Sequence, residues 1–276
     1  MERRLSPLVD DASAAAGSLR LGLAARGDLR WAVVDLSAPV EAMRRRLDAS
    51  PTAAVAVGRA MTAATLLLRF STKVPGRLRL EVRGDGPLGR IRAEIDANGR
   101  LVGMVDELRF AGFDDAPHAL DIGRAVGKGI LRVTQESSAR DEPWVSQTAL
   151  VDGEIGNDLV HYLHQSQQVR SAALLGVLPG PEGIRSAGGL LVEALPGADE
   201  ASIRQLEAAI VGLDGVGATL EAGGLDALTD AVLGSLDVEE LERHSIRYAC
   251  RCRREALLEQ LQGMPEDQIR AIADDD

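Results

Sequence analysis

The sequence predicts an α+β protein whose core is an antiparallel sheet with helices packed on it. Residues 78–82 alternate between apolar and charged side chains, and a turn at 84–87 leads into a second alternating segment at 91–95. Alternation on both sides of a compact Gly-containing turn is typical of antiparallel strands. The segment Pro51–Phe70 is apolar on nearly every face, which indicates a buried helix. With 276 residues and 45% apolar content, the chain can bury one sizeable core with smaller appendages.

The predicted elements before this sheet are a strand pair and the buried helix. Residues 19–34 carry apolar residues on either side of a turn at 26–28, and this pattern predicts two neighbouring strands. Pro51 suits the first turn of the helix, because a first-turn N–H has no partner within the helix. Gly58 costs about 1 kcal/mol relative to Ala in a helix interior. We therefore expect another element to pack closely against it.

The turn at 84–89 also matches the Gly-x-Gly-x-x-Gly fingerprint of dinucleotide-binding proteins. That fingerprint works where it leads from a strand into a helix, because the helix N-terminus then meets the pyrophosphate. Here it leads into the alternating segment 91–95, and Asn98-Gly99 turns the chain once more. We therefore predict a hairpin turn at 84–89 rather than a phosphate site.

A predicted helix at 154–168 carries the main cluster of potential metal ligands outside the cysteines. Asp158, His161 and His164 follow one another at three-residue spacing, a pattern that can place ligands on one helix face. No further ligand set accompanies them in the sequence. We interpret them as a solvated polar face rather than as a metal site.

The remaining predicted elements are strands at 130–133, 145–151 and 186–195 and helices at 199–213 and 225–236. Both of these helices have apolar residues at helical spacing on one face, and neither carries a catalytic grouping. Isolated helices of this length are marginal in water. We therefore expect both to depend on docking against another element. The strongly charged segment 237–243 leads from them to the cysteines.

Composition and charge argue against several classes of function. The formal net charge of −11 and a pI near 5.0 disfavour nucleic-acid binding, which needs a net-positive face. No stretch approaches the roughly 18 uninterrupted apolar residues of a membrane span. Asp10 and Asp11 interrupt the N-terminal apolar run before it reaches signal-peptide length. We therefore expect a cytoplasmic protein with no nucleic-acid or membrane partner.

Cys250 and Cys252 are the only cysteines of the chain, and one residue separates them. Two closely spaced thiolates can share a zinc ion or be oxidised together. Arginines on both sides of the pair favour the thiolate form and so its reaction with oxidants. His244 is a possible third zinc ligand, although its spacing is not that of a standard zinc finger. No nucleophile with a base, acid–base pair or complete metal site is recognisable, which predicts a protein that is not an enzyme.

Several motifs together resemble the heat-shock protein 33 family, the redox-regulated holdase chaperones of bacteria. The matching segments are VGRAMTAA at 57–64, RGDGPLG at 83–89, GKG at 127–129, DGEI at 152–155, SQQ at 166–168, AGG at 187–189 and LPGA at 195–198. They occur in the family's order and cover most of the chain. One departure is Gln167, where the family usually has Glu.

The resemblance assigns the cysteines to a redox switch. In the family, a zinc ion is held by four cysteines, a Cys-x-Cys pair followed later in the chain by Cys-x-x-Cys. Cys250 and Cys252 match the first pair, and the sequence contains no second pair. We expect the chain to be either a portion of a longer polypeptide or a naturally shortened homologue. Two thiolates are half of a tetrahedral site, so we expect zinc in the full-length family member and only weak binding here unless another chain completes the site.

The resemblance also implies an activity and a domain organisation. In the family, zinc keeps the C-terminal domain folded and a helical linker docked on the core domain, and the chaperone is inactive. Oxidation to disulfide bonds releases zinc and loosens the linker, and the exposed apolar surface, with dimerisation, holds unfolded proteins without ATP as part of the stress response. By this pattern the chain has a core domain at 1–180, a helical linker at 181–237 and a partial C-terminal thiol and zinc domain at 238–276. Its expected partners are unfolded client proteins and a second copy of itself.

Two other functions remain open on the sequence alone. A thiol oxidoreductase or metal-transfer protein would use Cys250 and Cys252 as its active pair, and a disulfide between residues so close closes a strained, oxidising ring. A structural protein with an incidental cysteine pair would not respond to peroxide. Within the chaperone interpretation, the missing second pair predicts that the inactive state is weakened or lost.

Overall fold

The computed structural model describes residues 16–71, 76–110, 112–113, 120–137, 142–249 and 254–274. Within these residues the chain forms a ten-stranded sheet and eight α-helices, which confirms the predicted α+β class. The sheet and the first six helices lie in one compact unit, Ala14–Tyr248. The last two helices lie in a separate unit that contains Ala249–Asp276.

The sheet is almost entirely antiparallel. Its strands in chain order are β1 Gly17–Ala24, β2 Leu29–Asp35, β3 Gly76–Gly84, β4 Arg90–Asp96, β5 Arg100–Val105, β6 Gly129–Ser137, β7 Trp144–Ala149, β8 Ser171–Gly180, β9 Gly183–Ala194 and β10 Val238–Tyr248. Across the sheet the order is β7-β6-β3-β4-β5-β10-β1-β2-β9-β8. The single parallel contact joins β10 to β5 over two residue pairs, so β10 is the strand that connects the two halves of the sheet.

The helices in chain order are α1 Ser37–Leu47, α2 Pro51–Ser71, α3 Ile122–Val126, α4 Gly156–Tyr162, α5 Glu200–Val211, α6 Val216–Leu233, α7 Arg254–Gln262 and α8 Glu266–Asp274. Two of the helices are long, α2 with 21 residues and α6 with 18 residues, and the others are shorter. A π-helical turn, Leu163–Gln167, continues α4, and a 3₁₀ turn, Ala25–Gly27, joins β1 to β2.

The predicted buried helix is confirmed as α2, the centre of the main core. Ser50 caps its N-terminus by accepting a hydrogen bond from Ala53 N at 3.3 Å, and Pro51 occupies the first turn. A Cβ on Gly58 would lie 2.9 Å from methyl groups of both Val40 and Val177, which confirms the expected close packing. By length and composition the window Pro51–Phe70 could cross a membrane, but 89% of it is buried inside the fold, as in a core helix.

The turn at 84–89 joins β3 to β4, as predicted, and does not lead into a helix. This turn is joined by hydrogen bonds to the turn that follows α3. Asp85 Oδ1 accepts a hydrogen bond from Lys128 N at 2.7 Å, and Asp85 N donates to Lys128 O at 2.9 Å. A Cβ on Gly84 would lie 1.8 Å from Val126 O, so only glycine fits there. Two of the family-like motifs therefore meet at a structural contact.

Four regions that differ from the sequence-based expectation are β10, α6, β8 and α1. The charged segment 237–243, to which no secondary structure was assigned, forms most of β10. The last predicted helix begins earlier, at Val216, and is broken at Gly223 and Gly224. β8 and α1 were not predicted. β8 has partial exposure along its whole length, so it lacks the alternation that identifies a half-buried strand.

Candidate functional site

The sheet has two apolar faces, and α5 and α6 cover one of them near β2 and β9. The residues of this second core cluster are, on the sheet, Ala24, Leu29, Trp31, Val33, Leu190 and Val192, and on or after the helices, Ile203, Leu206, Val216, Leu220, Leu225, Leu228, Val232, Leu233 and Leu236. The alternate residues of β2, Ala32 and Val34, point into the main core instead. We call the six sheet residues the covered face.

The two helices that cover this face begin and bend at identifiable residues. Asp199 caps α5, because its side chain accepts a hydrogen bond from Ala201 N at 3.0 Å. α6 is two helical segments, since Gly223 and Gly224 leave the helical region and Gly224 has φ +65°, a conformation that favours glycine. The axes of α5 and α6 differ by 117°. The pair therefore lies across the sheet as short segments, each too short to be stable in water alone.

Polar contacts between these helices and the sheet lie mostly at the rim, where the ion pairs Arg20–Asp226 and Arg185–Glu221 are found. Ser186 Oγ donates a hydrogen bond to Gly217 O at 2.7 Å, and this bond joins β9 to the first turn of α6. Arg170 and Glu200 form an ion pair at 2.7 Å, but both side chains are about 60% exposed. Exposed ion pairs contribute roughly 0–1 kcal/mol. Apolar burial on the covered face is therefore the main interaction that holds α5 and α6 in place.

The contact between α5 and the sheet is not completely filled. A pocket of about 530 Å³ lies where α5 meets the sheet and α4. Leu29 and Val192 line it from the sheet, and Ile203 and Leu206 line it from α5. Side chains beside a void lose the dispersion contacts that a close-packed neighbour would provide. α5 is therefore attached less tightly than a helix of the main core.

The three potential metal ligands of the 154–168 region do not converge. Asp158 is fully buried, not solvated as we interpreted it, and its carboxylate accepts hydrogen bonds from Val151 N at 2.6 Å and Ile155 N at 2.9 Å. These bonds close the loop before α4. His161 and His164 instead line the pocket beside α5. Among the residues that the structure describes, no group of three or more His, Cys, Asp or Glu side chains could hold a metal ion.

His244 lies in β10 with neighbours at both ring nitrogens. Its Nε2 is 2.8 Å from Glu242 Oε2, and its Nδ1 is 3.4 Å from Arg69 Nη2. Burial lowers the pKa of Arg69, whose guanidinium also donates to Ala97 O at 3.2 Å. A ring held in this way presents no free nitrogen to a metal ion.

The predicted switch residues, Cys250 and Cys252, lie outside the described residues. β10 ends at Tyr248, two residues before Cys250 in the sequence. The nearest described element on the N-terminal side of the thiols is therefore the strand that joins the two halves of the sheet. β10 is thus the last element of the compact unit before the thiols in the sequence.

Comparison with known proteins assigns the chain to a family. The family model described as Hsp33 protein matches residues 18–276. The chain belongs to the Hsp33 family. This confirms the resemblance that the motifs indicated. Relatives in the family carry the name of a chaperone, and the chain is accordingly a chaperone of the Hsp33 type.

Individual Hsp33 relatives match over most of their length. A 33 kDa chaperonin of Thermus thermophilus is 41% identical over 256 residues, which are 89% of this chain and 75% of that protein. The 33 kDa chaperonin of Nostoc punctiforme is 36% identical over 251 residues, covering 90% and 83%. The crystal structure of the 33 kDa chaperonin of Thermotoga maritima superposes with a TM-score of 0.82 at 28% identity, covering 92% of this chain and 87% of that one.

The covered face was missed by sequence reasoning, although β2 contained a signal for it. Residues 29–34 are apolar except for Arg30, so both faces of this strand have apolar side chains. A strand with two apolar faces is buried on both sides and needs a covering layer on each. Together with two helices that need a docking partner, this run could have predicted a second apolar cluster.

Proposed function

We propose that this Hsp33-family chain is an ATP-independent holdase that is switched by oxidation of Cys250 and Cys252. In the proposed inactive state, α5 and α6 lie on the covered face, as the structure has them. Oxidation loosens these helices and uncovers an apolar surface that holds unfolding proteins. The observation that carries the proposal is the covered face itself, an apolar surface covered by the broken helix α6 and by α5, beside which a pocket remains.

The chemical step uses only the two thiols and an oxidant such as hydrogen peroxide. One thiolate attacks the peroxide, which gives a sulfenic acid and releases hydroxide. The second thiol then condenses with the sulfenic acid, forming the disulfide bond and releasing water. If both sulfurs belong to one chain the ring is small and strained, so a bond to another chain is the less strained product. Thiol–disulfide exchange with a reducing thiol restores the two thiols from either product, which makes the switch reversible.

The cysteines of this sequence do not provide the four ligands of the family's tetrahedral zinc site. Two thiolates are half of a tetrahedral set, and among the described residues no cluster supplies the other half. His244 is held by Glu242 and Arg69. We therefore propose that zinc is a ligand of four-cysteine family members and contributes little to the inactive state of this chain.

We further propose cytoplasmic unfolded proteins as clients and a homodimer as the active species. The net charge of −11 supports the absence of a nucleic-acid partner, because phosphate backbones would be repelled. Client capture on the covered face requires no nucleotide, since the energy comes from burying apolar surface of the client.

Light scattering from a heat-unfolding client, without ATP, tests this function. The chain is added either reduced or after peroxide treatment, and a variant with Cys250→Ser and Cys252→Ser is the matched control. We expect the oxidised chain to suppress aggregation more strongly than the reduced chain, and the control to show no difference between the two treatments. No suppression in any state, with turnover of a dithiol substrate, would indicate the thiol oxidoreductase instead.

A further inference from the structure

We infer that the edge of β1 is a second client-binding surface, which β10 covers until the switch opens. Once β10 leaves, this edge accepts an extended segment of an unfolded polypeptide as an added strand. The inference rests on the proposed function, because it requires oxidation near Cys250 to loosen the adjoining β10. It names a recognition mode, main-chain pairing, in addition to apolar contact.

The chain's own β10 indicates what this edge binds. β10 pairs antiparallel with β1 from Gly17 opposite Ile246 to Ala24 opposite Val238, with one irregularity between Leu21 and Gly22. Pairing of this kind uses backbone N–H and C=O groups that every polypeptide has. It is therefore suited to a chaperone that must bind many sequences.

Side chains hold β10 weakly compared with its neighbours. Ile246 is its one buried residue, and Leu241 is 56% exposed. β9, by contrast, has seven consecutive buried residues, 186–192. On its other side β10 meets β5 over only two residue pairs. Removing β10 therefore costs little apolar burial, and the main core around α2, which joins both halves of the sheet, loses only Ile246 among its buried members.

β1 keeps its strand conformation when β10 is absent. Its other edge pairs with β2 over seven residues, from Ser18 opposite Asp35 to Ala24 opposite Leu29. Leu19 is fully buried in the main core. The departure of β10 therefore leaves an ordered row of unpaired backbone groups, which is a ready template for another strand.

Arg20 gives the edge a preference for acidic segments. Its side chain is 16% exposed, and its carboxylate partners are Asp226 on α6 at 2.5 Å and Glu240 on β10 at 3.8 Å. Its Nε is buried without a hydrogen-bond partner. Both partners lie on elements that leave in the proposed active state, so the guanidinium then lacks its carboxylates. A client strand with an acidic residue near the Glu240 position and an aliphatic residue near the Ile246 position fits this edge.

Hydrogen exchange of the full chain tests the inference directly. Amides of Gly17–Ala24 are followed in the reduced chain, in the peroxide-treated chain, and in the peroxide-treated chain with a chemically unfolded client. We expect protection of this segment to fall on oxidation and to return when the client binds. Amides of Gly183–Ala194 are the internal control, because β9 keeps both neighbouring strands throughout. Client capture without a change in protection of Gly17–Ala24 would overturn the inference.

A pair of variants separates this inference from the proposed redox switch. Ile246→Ser removes the buried anchor of β10, and Leu241→Ser makes the same change at an exposed position of the same strand. We expect the reduced I246S chain to bind client and protect Gly17–Ala24 in doing so, and the reduced L241S chain to behave as the parent. If oxidation of the parent has no effect but I246S behaves as expected, the proposed redox switch is wrong and the proposed client site at the β1 edge is supported. If I246S binds client while the amides of Gly17–Ala24 stay unprotected from exchange, the inference about the β1 edge is wrong and the proposed redox switch is unaffected.

Discussion

Glu41 is the residue that ties α1 to the β8–β9 hairpin. Its carboxylate accepts hydrogen bonds from Arg44 Nε at 2.7 Å, Arg45 Nε at 2.6 Å and Ile184 N at 2.8 Å. The hydrogen bond from Arg44 lowers the pKa of Glu41 to about 2 from an ordinary 4.5, against the opposing effect of burial. The ionised carboxylate is therefore the form that stabilises the fold.

This gives a pH-dependent prediction for Glu41→Gln. Because the pKa is lower in the folded chain, the stabilisation is fully present above pH 4.5 and is lost as the pH falls toward 2. At pH 7 we expect the variant to lose about 2 kcal/mol of unfolding free energy, the value of the shift after allowance for partial exposure. Urea unfolding between pH 7 and pH 3 measures the difference, which should shrink on the acid side. Glu259→Gln, at an exposed position, is the control, and equal losses in both variants would contradict the assignment.

A second prediction at this scale concerns zinc at Cys250 and Cys252. Because two thiolates are an incomplete tetrahedral set, zinc should dissociate readily when a chelator competes. Elemental analysis before and after dialysis against a chelator measures the bound metal. We expect well below one zinc per monomer after dialysis. Retention near one per monomer would show that further ligands complete the site.

The helices α5 and α6 are the elements on which the proposed switch depends. Leu228 lies fully buried against the covered face, whereas Val211 at the end of α5 is 86% exposed. Leu228→Ala removes buried contacts worth about 2–5 kcal/mol. We expect this variant to suppress client aggregation in the reduced state, because its helices leave the sheet without oxidation. Val211→Ala should behave as the parent, and equal behaviour of the two variants would mean that α6 does not restrain activity.

Elements with local periodicity were predictable, and elements defined by distant pairing were not. α2, the β3–β4 hairpin and α5 were recognised because their apolar spacing and turn residues identify them within the segment itself. β10 is charged and mostly exposed, and its strand conformation comes from pairing with β1, more than 200 residues away in sequence. For the candidate site, the sequence indicated the thiols and two docking-dependent helices. The apolar run 29–34 was a signal that β2 needs a cover on both faces, but the partner strand was not predictable, because Trp31 lies opposite Val192 only in the folded sheet.

At the scale of the whole molecule, the Ala14–Tyr248 unit contains two apolar clusters that differ in what they require. The main cluster is built around α2 and has no member on α5 or α6. The second cluster joins the covered face to α5, α6 and the segment that follows. Release of these helices therefore dismantles one cluster and leaves the other intact. This separation would allow the proposed switch to open part of the structure while the rest remains folded.

The fluorescence of Trp31 tests most directly whether oxidation uncovers this face. Trp31 is 1% exposed beneath the helices, and the chain has one other tryptophan, Trp144. In a Trp144→Phe variant, Trp31 is the only tryptophan and reports on the covered face alone. The account predicts that peroxide shifts its emission to longer wavelength as water reaches the indole, and that bound client reverses the shift. Client capture by the oxidised variant with unchanged Trp31 emission would contradict it.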